Sequence, residues 1–134
     1  LYDMIKGESN DRKIFFVYGG VDSDTRERIR HIVESESDAI IVASYGVFSV
    51  GINIRNLHNI IFASPSKSRI RNLQSIGRGL RLSDKKEIAT LYDIADDLKF
   101  KNKKNYTLEH FEERVKTYKE ENFPLATYHI QLKT

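Results

Sequence analysis

The sequence predicts an α/β fold, with a mostly parallel β-sheet, helices on both faces and a C-terminal helical extension. Four short runs of residues are apolar almost throughout, as in strands buried on both faces, and segments with helical spacing separate them. The chain has 134 residues, of which 40% are hydrophobic and 31% charged. It is therefore long enough to bury a real core and too apolar to be disordered.

The first two elements are the end of a helix and a strand. Residues 1–6 have the pattern of an amphipathic helix whose beginning lies upstream of Leu1. Residues 13–18 are rich in β-forming side chains and end at Gly19-Gly20, which predicts a buried strand.

A helix is predicted next, ending at about Ser35. Asp22 or Ser23 can cap it, because their side chains can accept hydrogen bonds from the first turn. Three apolar residues at helical spacing are expected to face inward, namely Ile29, Ile32 and Val33.

Three further strands are predicted at residues 39–43, 59–63 and 88–94. A helix between the last two is expected to carry Ile70, Leu73, Ile76 and Gly77 toward the core. Parallel sheets bind ligands at the carboxyl ends of their strands. We therefore expect the chemistry to follow Ala43, Ala63 and Asp93.

The C-terminal segment, residues 99–134, begins with a basic linker at 99–105 that is expected to be a solvated loop, with phosphate contact as the alternative. A helical stripe follows, made of Leu108, Phe111, Val115 and Tyr118. The stripe is expected to pack on the preceding domain, residues 1–98, and a partner-binding helix is the alternative. Residues 128–132 alternate like a short terminal strand.

Composition excludes several classes of function. There is no cysteine, so disulfides, thiol catalysis and cysteine-ligated zinc are excluded, and a reducing compartment fits. The four histidines lack metal-ligand spacing, and no apolar run approaches the 18 residues of a membrane span. The net charge of +3 permits nucleic-acid binding without arguing strongly for it. We expect a cytoplasmic protein, in a bacterium or a phage-infected host, with no membrane partner and no metal site of its own.

The most informative segment is Gln74-Ser75-Ile76-Gly77-Arg78-Gly79-Leu80-Arg81. On a helix, Gln74, Arg78 and Arg81 share one face, which spans roughly 10 Å, about the reach of a nucleotide's phosphate chain. Arginine suits this task because its planar guanidinium group grips phosphate oxygens through two donors. A basic helix end with glycine caps is the alternative interpretation.

A second segment, Ala43 to Ile54, leaves one strand and returns toward the next. Ser44 follows the strand directly, where its hydroxyl can reach a backbone phosphate. Gly51 allows close approach of the main chain to a ligand, and Asn53 offers its polar side chain to a sugar hydroxyl or to a neighbouring loop. Alone, the segment is also compatible with an ordinary glycine-containing loop.

Taken together, the two segments resemble motifs V and VI in the second, C-terminal RecA-like domain of superfamily 2 helicases. The resemblance covers residues 1–98, which would then be a RecA-like domain truncated at its N-terminus. It is most similar to the phage recombination and repair helicases. A RecA-like three-layer sandwich is the fold that this resemblance implies.

The resemblance also implies roles for individual residues. Gln74 and Arg78 would line the nucleotide, and Arg81 would be the catalytic arginine finger with Arg78 beside it. Gly51 and Asn53 would couple the ATP site to the nucleic-acid track. The family more often has Asp at the position of Asn53. Asn53 therefore lacks the carboxylate that the family uses in this role.

Nucleic-acid contacts are implied for Ser44, where the family more often has Thr, and for the adjacent Tyr45. Lys67 and Arg69 could extend the track of backbone contacts, with a solvated face as the alternative. The expected nucleic-acid partner is DNA, single-stranded or branched.

The chain contains neither a Gly-x-x-x-x-Gly-Lys-Ser/Thr sequence nor an Asp-Glu box. ATP and Mg²⁺ are therefore expected to be held mainly by an N-terminal RecA-like domain of the same protein, and this chain alone is expected to be inactive. The expected function is the C-terminal motor half of an ATP-dependent DNA helicase or branch-migration translocase in recombination, repair or replication-fork processing. The alternatives are the motor of a restriction endonuclease, an RNA helicase, or a non-catalytic nucleic-acid-binding module derived from a helicase.

Overall fold

The computed structural model describes residues 1–50, 54, 56–63, 89–98 and 100–133. The chain divides into two compact units, Leu1–Ile94 and Ala95–Thr134. The described elements of the first unit are α1 (Tyr2–Glu8), β1 (Ile14–Val17), α2 (Ser23–Ser35), β2 (Ile40–Ala43), α3 (Tyr45–Val50), β3 (Asn59–Phe62) and β4 (Thr90–Asp93). The second unit contains α4 (Tyr106–Glu120). The helix predicted to carry Ile70 and its neighbours lies outside the described residues. Within the described ranges, every helix is too short or too polar to cross a membrane.

The four strands form two parallel pairs. In the first pair, Ile14 lies opposite Ile40 and Val17 opposite Ala43. In the second pair, the register runs from Asn59 opposite Thr90 to Phe62 opposite Asp93. The predicted strands and their parallel arrangement are confirmed. Within the described residues, each observed strand is one or two residues shorter than predicted, because residues at strand ends leave the hydrogen-bonded ladder.

Helix α2 begins and ends at the predicted residues. Asp22 is the N-cap, and its carboxylate accepts a hydrogen bond of 2.8 Å from the backbone N–H of Thr25. Val33 is buried and Ile29 packs against the same core, as predicted. Ile32 is 40% exposed, so the prediction that it faces inward is wrong. Ile32 lies about 100° around the helix from Val33 and therefore at the edge of the buried face.

The core of the first unit joins residues that are distant in sequence. Val17 of β1, Val33 of α2, Val47 of α3 and Ile54 form one buried cluster. Phe15, Val21, Ile29, Ala39, Ile41 and Leu57 pack around it. Ile54 anchors the segment that leads from α3 toward β3. The Asn56 side chain adds a polar tie, because its Nδ2 donates to the backbone oxygen of Glu36 over 3.1 Å.

The Asp22 cap predicts a pH-dependent contribution to stability. The hydrogen bond from the Thr25 backbone N–H holds the pKa of Asp22 below its ordinary value of 3.8, and the Thr25 hydroxyl acts in the same direction. The ionised cap therefore stabilises the folded state fully above pH 3.8, and this contribution is lost as the pH falls through the lowered pKa. We expect Asp22→Asn to lower the urea midpoint at neutral pH, and the difference from wild type to disappear near the acid end of the titration.

Urea unfolding followed by circular dichroism between neutral and acid pH measures this difference. Asp24→Asn is the control, since it removes a charge from the same helical turn and leaves the ionised cap at Asp22 in place. A difference between Asp22→Asn and wild type that stays constant with pH would contradict the prediction.

The second unit is organised around α4. Tyr118 is buried, while Leu108, Phe111 and Val115 are half-buried, so the predicted stripe forms one face of a helix. The packing of this face on residues 1–98 and the domain boundary at 98 stay predictions. Residues 128–132, expected to be a short strand, have no regular secondary structure. Alternation alone does not make a strand, because its backbone needs a paired neighbour, and the described part of this unit offers none.

Candidate functional site

The predicted site residues divide into two groups. Ser44 and Tyr45 belong to the described part of the chain. The others lie outside the described residues, and their assignments stay predictions: Gly51, Asn53, Lys67, Arg69, Gln74, Arg78 and Arg81.

Ser44 directly follows the carboxyl end of β2, as predicted from the sequence. Its backbone N–H donates to the oxygen of Val17 over 3.1 Å, which continues the β1–β2 ladder by one bond. The backbone oxygen of Ser44 accepts a hydrogen bond of 3.1 Å from the N–H of Val47, in the first turn of α3. The residue is exposed. The backbone of Ser44 is thus held by two elements, and its hydroxyl can reach a ligand at the edge of the sheet.

Tyr45 links the ends of two strands. Its ring lies 5.3 Å from the ring of Phe62, centroid to centroid, and Phe62 is the last residue of β3. The N–H of Ile94, just after β4, donates to the oxygen of Phe62 over 3.1 Å. The carboxyl ends of β2, β3 and β4 are therefore brought together. This is the edge at which the sequence predicts the chemistry, after Ala43, Ala63 and Asp93.

Sequence reasoning missed an aromatic stack that includes the carboxyl end of β1. Tyr18 stacks on Phe16 with centroids 5.2 Å apart, and Phe16 stacks on Tyr2 of α1 at 5.3 Å. A Cβ atom at Gly20 would lie 2.6 Å from the Tyr18 ring, so a side chain there would displace Tyr18. The signal in the sequence was the alternation of Phe16 and Tyr18, which places both on one face of the strand, followed by Gly19-Gly20.

Arg26 was also missed. One guanidinium nitrogen, Nη2, donates to the backbone oxygen of Gly19 over 3.1 Å, and this bond fixes the turn between β1 and α2. The sequence signal was an arginine one turn into a capped helix that follows a Gly-Gly turn. Arg26 positions the backbone at the same strand edge that carries Ser44, since Ser44 bonds to Val17 only two residues before Gly19.

Within the described ranges, no group of three or more His, Asp and Glu residues is arranged to hold a metal ion. The residues predicted to line ATP are among those outside the described part. The described edge of the sheet offers an exposed hydroxyl and an aromatic surface. These are groups that contact a phosphate backbone and stack on bases.

One protein family matches more than half of the chain. Residues 2–83 match the family described as Helicase conserved C-terminal domain. The chain is 41% identical over 133 residues to the ATP-dependent DNA helicase uvsW of Enterobacteria phage T4. It is 33% identical over 77 residues to the putative ATP-dependent helicase IRC3 of Saccharomyces cerevisiae. A crystal structure of the C-terminal part of the Fun30 ATPase domain has the same fold, with a TM-score of 0.58 at 17% identity.

The matches include most of this chain but only part of each relative. The phage match includes 92% of this chain but only 26% of the phage protein, and the yeast match includes 55% of this chain and 11% of the yeast protein. The structural match includes 91% of this chain and 45% of the other chain. The chain thus spans about a quarter of the phage relative and a smaller part of the yeast one.

Proposed function

This chain belongs to the helicase conserved C-terminal domain family, and from that premise we propose that it is the C-terminal motor half of an ATP-dependent DNA helicase or branch-migration translocase. The family and the RecA-like fold predicted from the two sequence segments are confirmed. The action on DNA in recombination, repair or replication-fork processing is part of the proposal. Its support is the 41% identity to a phage protein named as a DNA helicase.

The observation that carries the proposal is the meeting of three strand ends at the edge that holds Ser44. In parallel sheets this edge is where ligands bind. The exposed Ser44 hydroxyl would bind a phosphate of the nucleic-acid backbone. The Tyr45 ring already packs on Phe62, so its proposed contact would use the part of the ring that is left accessible.

Nucleotide chemistry is proposed for the segment from Gln74 to Arg81. Gln74 and Arg78 would bind the nucleotide, and Arg81 would place positive charge against the γ-phosphate as charge develops there. Gly51 and Asn53 would couple this site to the nucleic acid, and Lys67 and Arg69 would extend the backbone contacts. Since Mg²⁺ and most of ATP would be held by an N-terminal RecA-like domain, closure of the two domains would complete the site.

The test is reconstitution of the ATPase from two parts. We expect this chain alone to have no ATPase activity, because it has no phosphate-binding loop of its own. Mixed with an N-terminal RecA-like domain of a related helicase, it is expected to give ATP hydrolysis that single-stranded or branched DNA stimulates. Turnover is measured as phosphate release.

The control mixture contains an N-terminal domain whose phosphate-loop lysine is replaced, so any remaining turnover is contamination. If only a covalently linked protein is active, linkage is needed to close the site. If the linked protein is also inactive, the proposal is wrong, and a non-catalytic nucleic-acid-binding module is favoured instead.

A further inference from the structure

Residues 100–103 of the basic linker form a tight hairpin whose tip is at Lys101 and Asn102. The N–H of Phe100 donates to the oxygen of Lys103 over 3.1 Å, and the N–H of Lys103 donates back to the oxygen of Phe100 over 2.9 Å. Both tip residues have positive φ angles, 44° and 64°. This is the geometry of a two-residue hairpin loop in a type I′ turn. Residues 100–103 thus form an ordered turn, and residues 100–104 are exposed, as predicted for a solvated loop.

The base of the hairpin is closed by Asn105. Its Oδ1 accepts a hydrogen bond of 3.1 Å from the N–H of Leu98, and its Nδ2 donates to the oxygen of Asp96 over 3.0 Å. The Thr107 hydroxyl donates to the same oxygen over 3.2 Å. These bonds connect Asp96 and Leu98, which precede the hairpin, to the start of α4. The hairpin therefore has a fixed base and projects its tip.

The side chains of the hairpin combine cations with an aromatic ring. Lys104 pairs with Glu112 at 2.5 Å, and its charge is thereby compensated. Lys101 and Lys103 are exposed, and neither has an ion-pair partner among the residues that the structure describes. The Phe100 ring is 72% exposed, with the Lys101 ammonium 5.4 Å from its centroid. The hairpin thus presents an exposed aromatic ring beside two exposed cations.

We propose that this hairpin binds single-stranded nucleic acid, with Lys101 and Lys103 on backbone phosphates and Phe100 stacked on a base. Cations that follow the backbone, combined with an aromatic stacking surface, are the chemistry by which proteins bind single strands without reading sequence. The hairpin lies outside residues 2–83, which match the helicase family, so it would add a contact beyond the family motifs. The choice of nucleic acid over an acidic protein as partner rests on the proposed function.

Fluorescence anisotropy of the 134-residue chain with labelled oligothymidylate, and with a labelled duplex, tests the proposal. Lys101→Asn combined with Lys103→Gln removes two charges, and asparagine keeps the left-handed backbone of the tip. We expect this double variant to bind oligothymidylate on the order of tenfold more weakly at low salt. The slope of log affinity against log salt should fall by roughly 1.4, because two phosphate contacts are lost.

The matched control is Lys116→Gln combined with Lys119→Gln, which removes the same charge from exposed positions of α4 in the same unit. It is expected to bind like the unmodified chain. Phe100→Leu is expected to weaken oligothymidylate binding at least about fivefold while leaving duplex binding unchanged. Circular dichroism of each variant verifies that α4 is retained.

Three results would overturn the proposal: no binding of oligothymidylate by the unmodified chain, equal weakening by the hairpin and control variants, or a Phe100→Leu effect as large on duplex as on single strands. These outcomes are separable from failure of the proposed function. The reconstituted ATPase reports the motor site, and its stimulation by DNA would be unchanged in the hairpin variants if only the hairpin assignment were wrong.

Discussion

Replacing Arg81 by alanine is expected to lower the DNA-stimulated ATPase rate of the complete motor by a factor of about 10³ to 10⁵. The reason is electrostatic. An arginine supplied from a second domain stabilises charge on the transferring phosphoryl group only in the transition state, so its loss reduces kcat rather than nucleotide affinity alone. Phosphate release, measured over a range of ATP concentrations with saturating DNA, separates kcat from KM.

The comparison variant for Arg81→Ala is Arg28→Ala. Arg28 is an exposed arginine of α2 whose Nη2 donates to the Thr25 hydroxyl. Its replacement is expected to leave the rate within about twofold. DNA binding by the Arg81→Ala protein should persist. An Arg81→Ala motor with normal kcat would disprove the arginine-finger assignment and favour the binding-module alternative.

Replacing Ile54 by alanine is expected to lower the free energy of unfolding by about 2 to 5 kcal/mol. Ile54 is 1% exposed and lies in the cluster with Val17, Val33 and Val47. Truncation removes apolar contacts and leaves a cavity that the neighbouring valines fill only in part. Urea unfolding of the 134-residue chain, followed by circular dichroism, measures the change.

Two variants calibrate this measurement. Ile54→Val keeps the branched side chain and should cost only about 0.5 to 1.5 kcal/mol. Ile130→Ala changes a residue that is 82% exposed, and we expect an effect within about 0.5 kcal/mol. If Ile54→Ala were as mild as Ile130→Ala, Ile54 would not belong to the core that positions the segment after α3.

Elements with a local signal were predictable from sequence. The β1 and β2 strands are continuous apolar runs, and their parallel pairing follows from the helix between them. The start of α2 at Asp22 was predictable because capping depends on residues only three positions apart. Ser44 could be placed at a strand end for the same reason, since the strand directly before it is unambiguous.

Features that depend on distant neighbours were not predictable in this way. The exposure of Ile32 depends on how much of the apolar face of α2 the core covers. The periodicity of the sequence shows which residues share that face but not where the covered part ends. The closure of the hairpin base by Asn105 depends on hydrogen bonds from its side chain to residues up to nine positions away. Residues 128–132 alternate like a strand, but backbone pairing decides whether a strand forms.

The sequence by itself determined the helicase family, the order of β1, α2, β2, β3 and β4, and the residues proposed for nucleotide chemistry, because these depend on residue types at short, fixed spacings. It did not predict α3. Only the tertiary structure decided that Tyr45 contacts Phe62, that Ile54 lies in the core, and that Asn105 closes the base of the hairpin at residues 100–103. The physical reason is that burial and pairing depend on surfaces contributed by remote parts of the chain. Their positions follow from the packing of the whole fold and not from any local pattern.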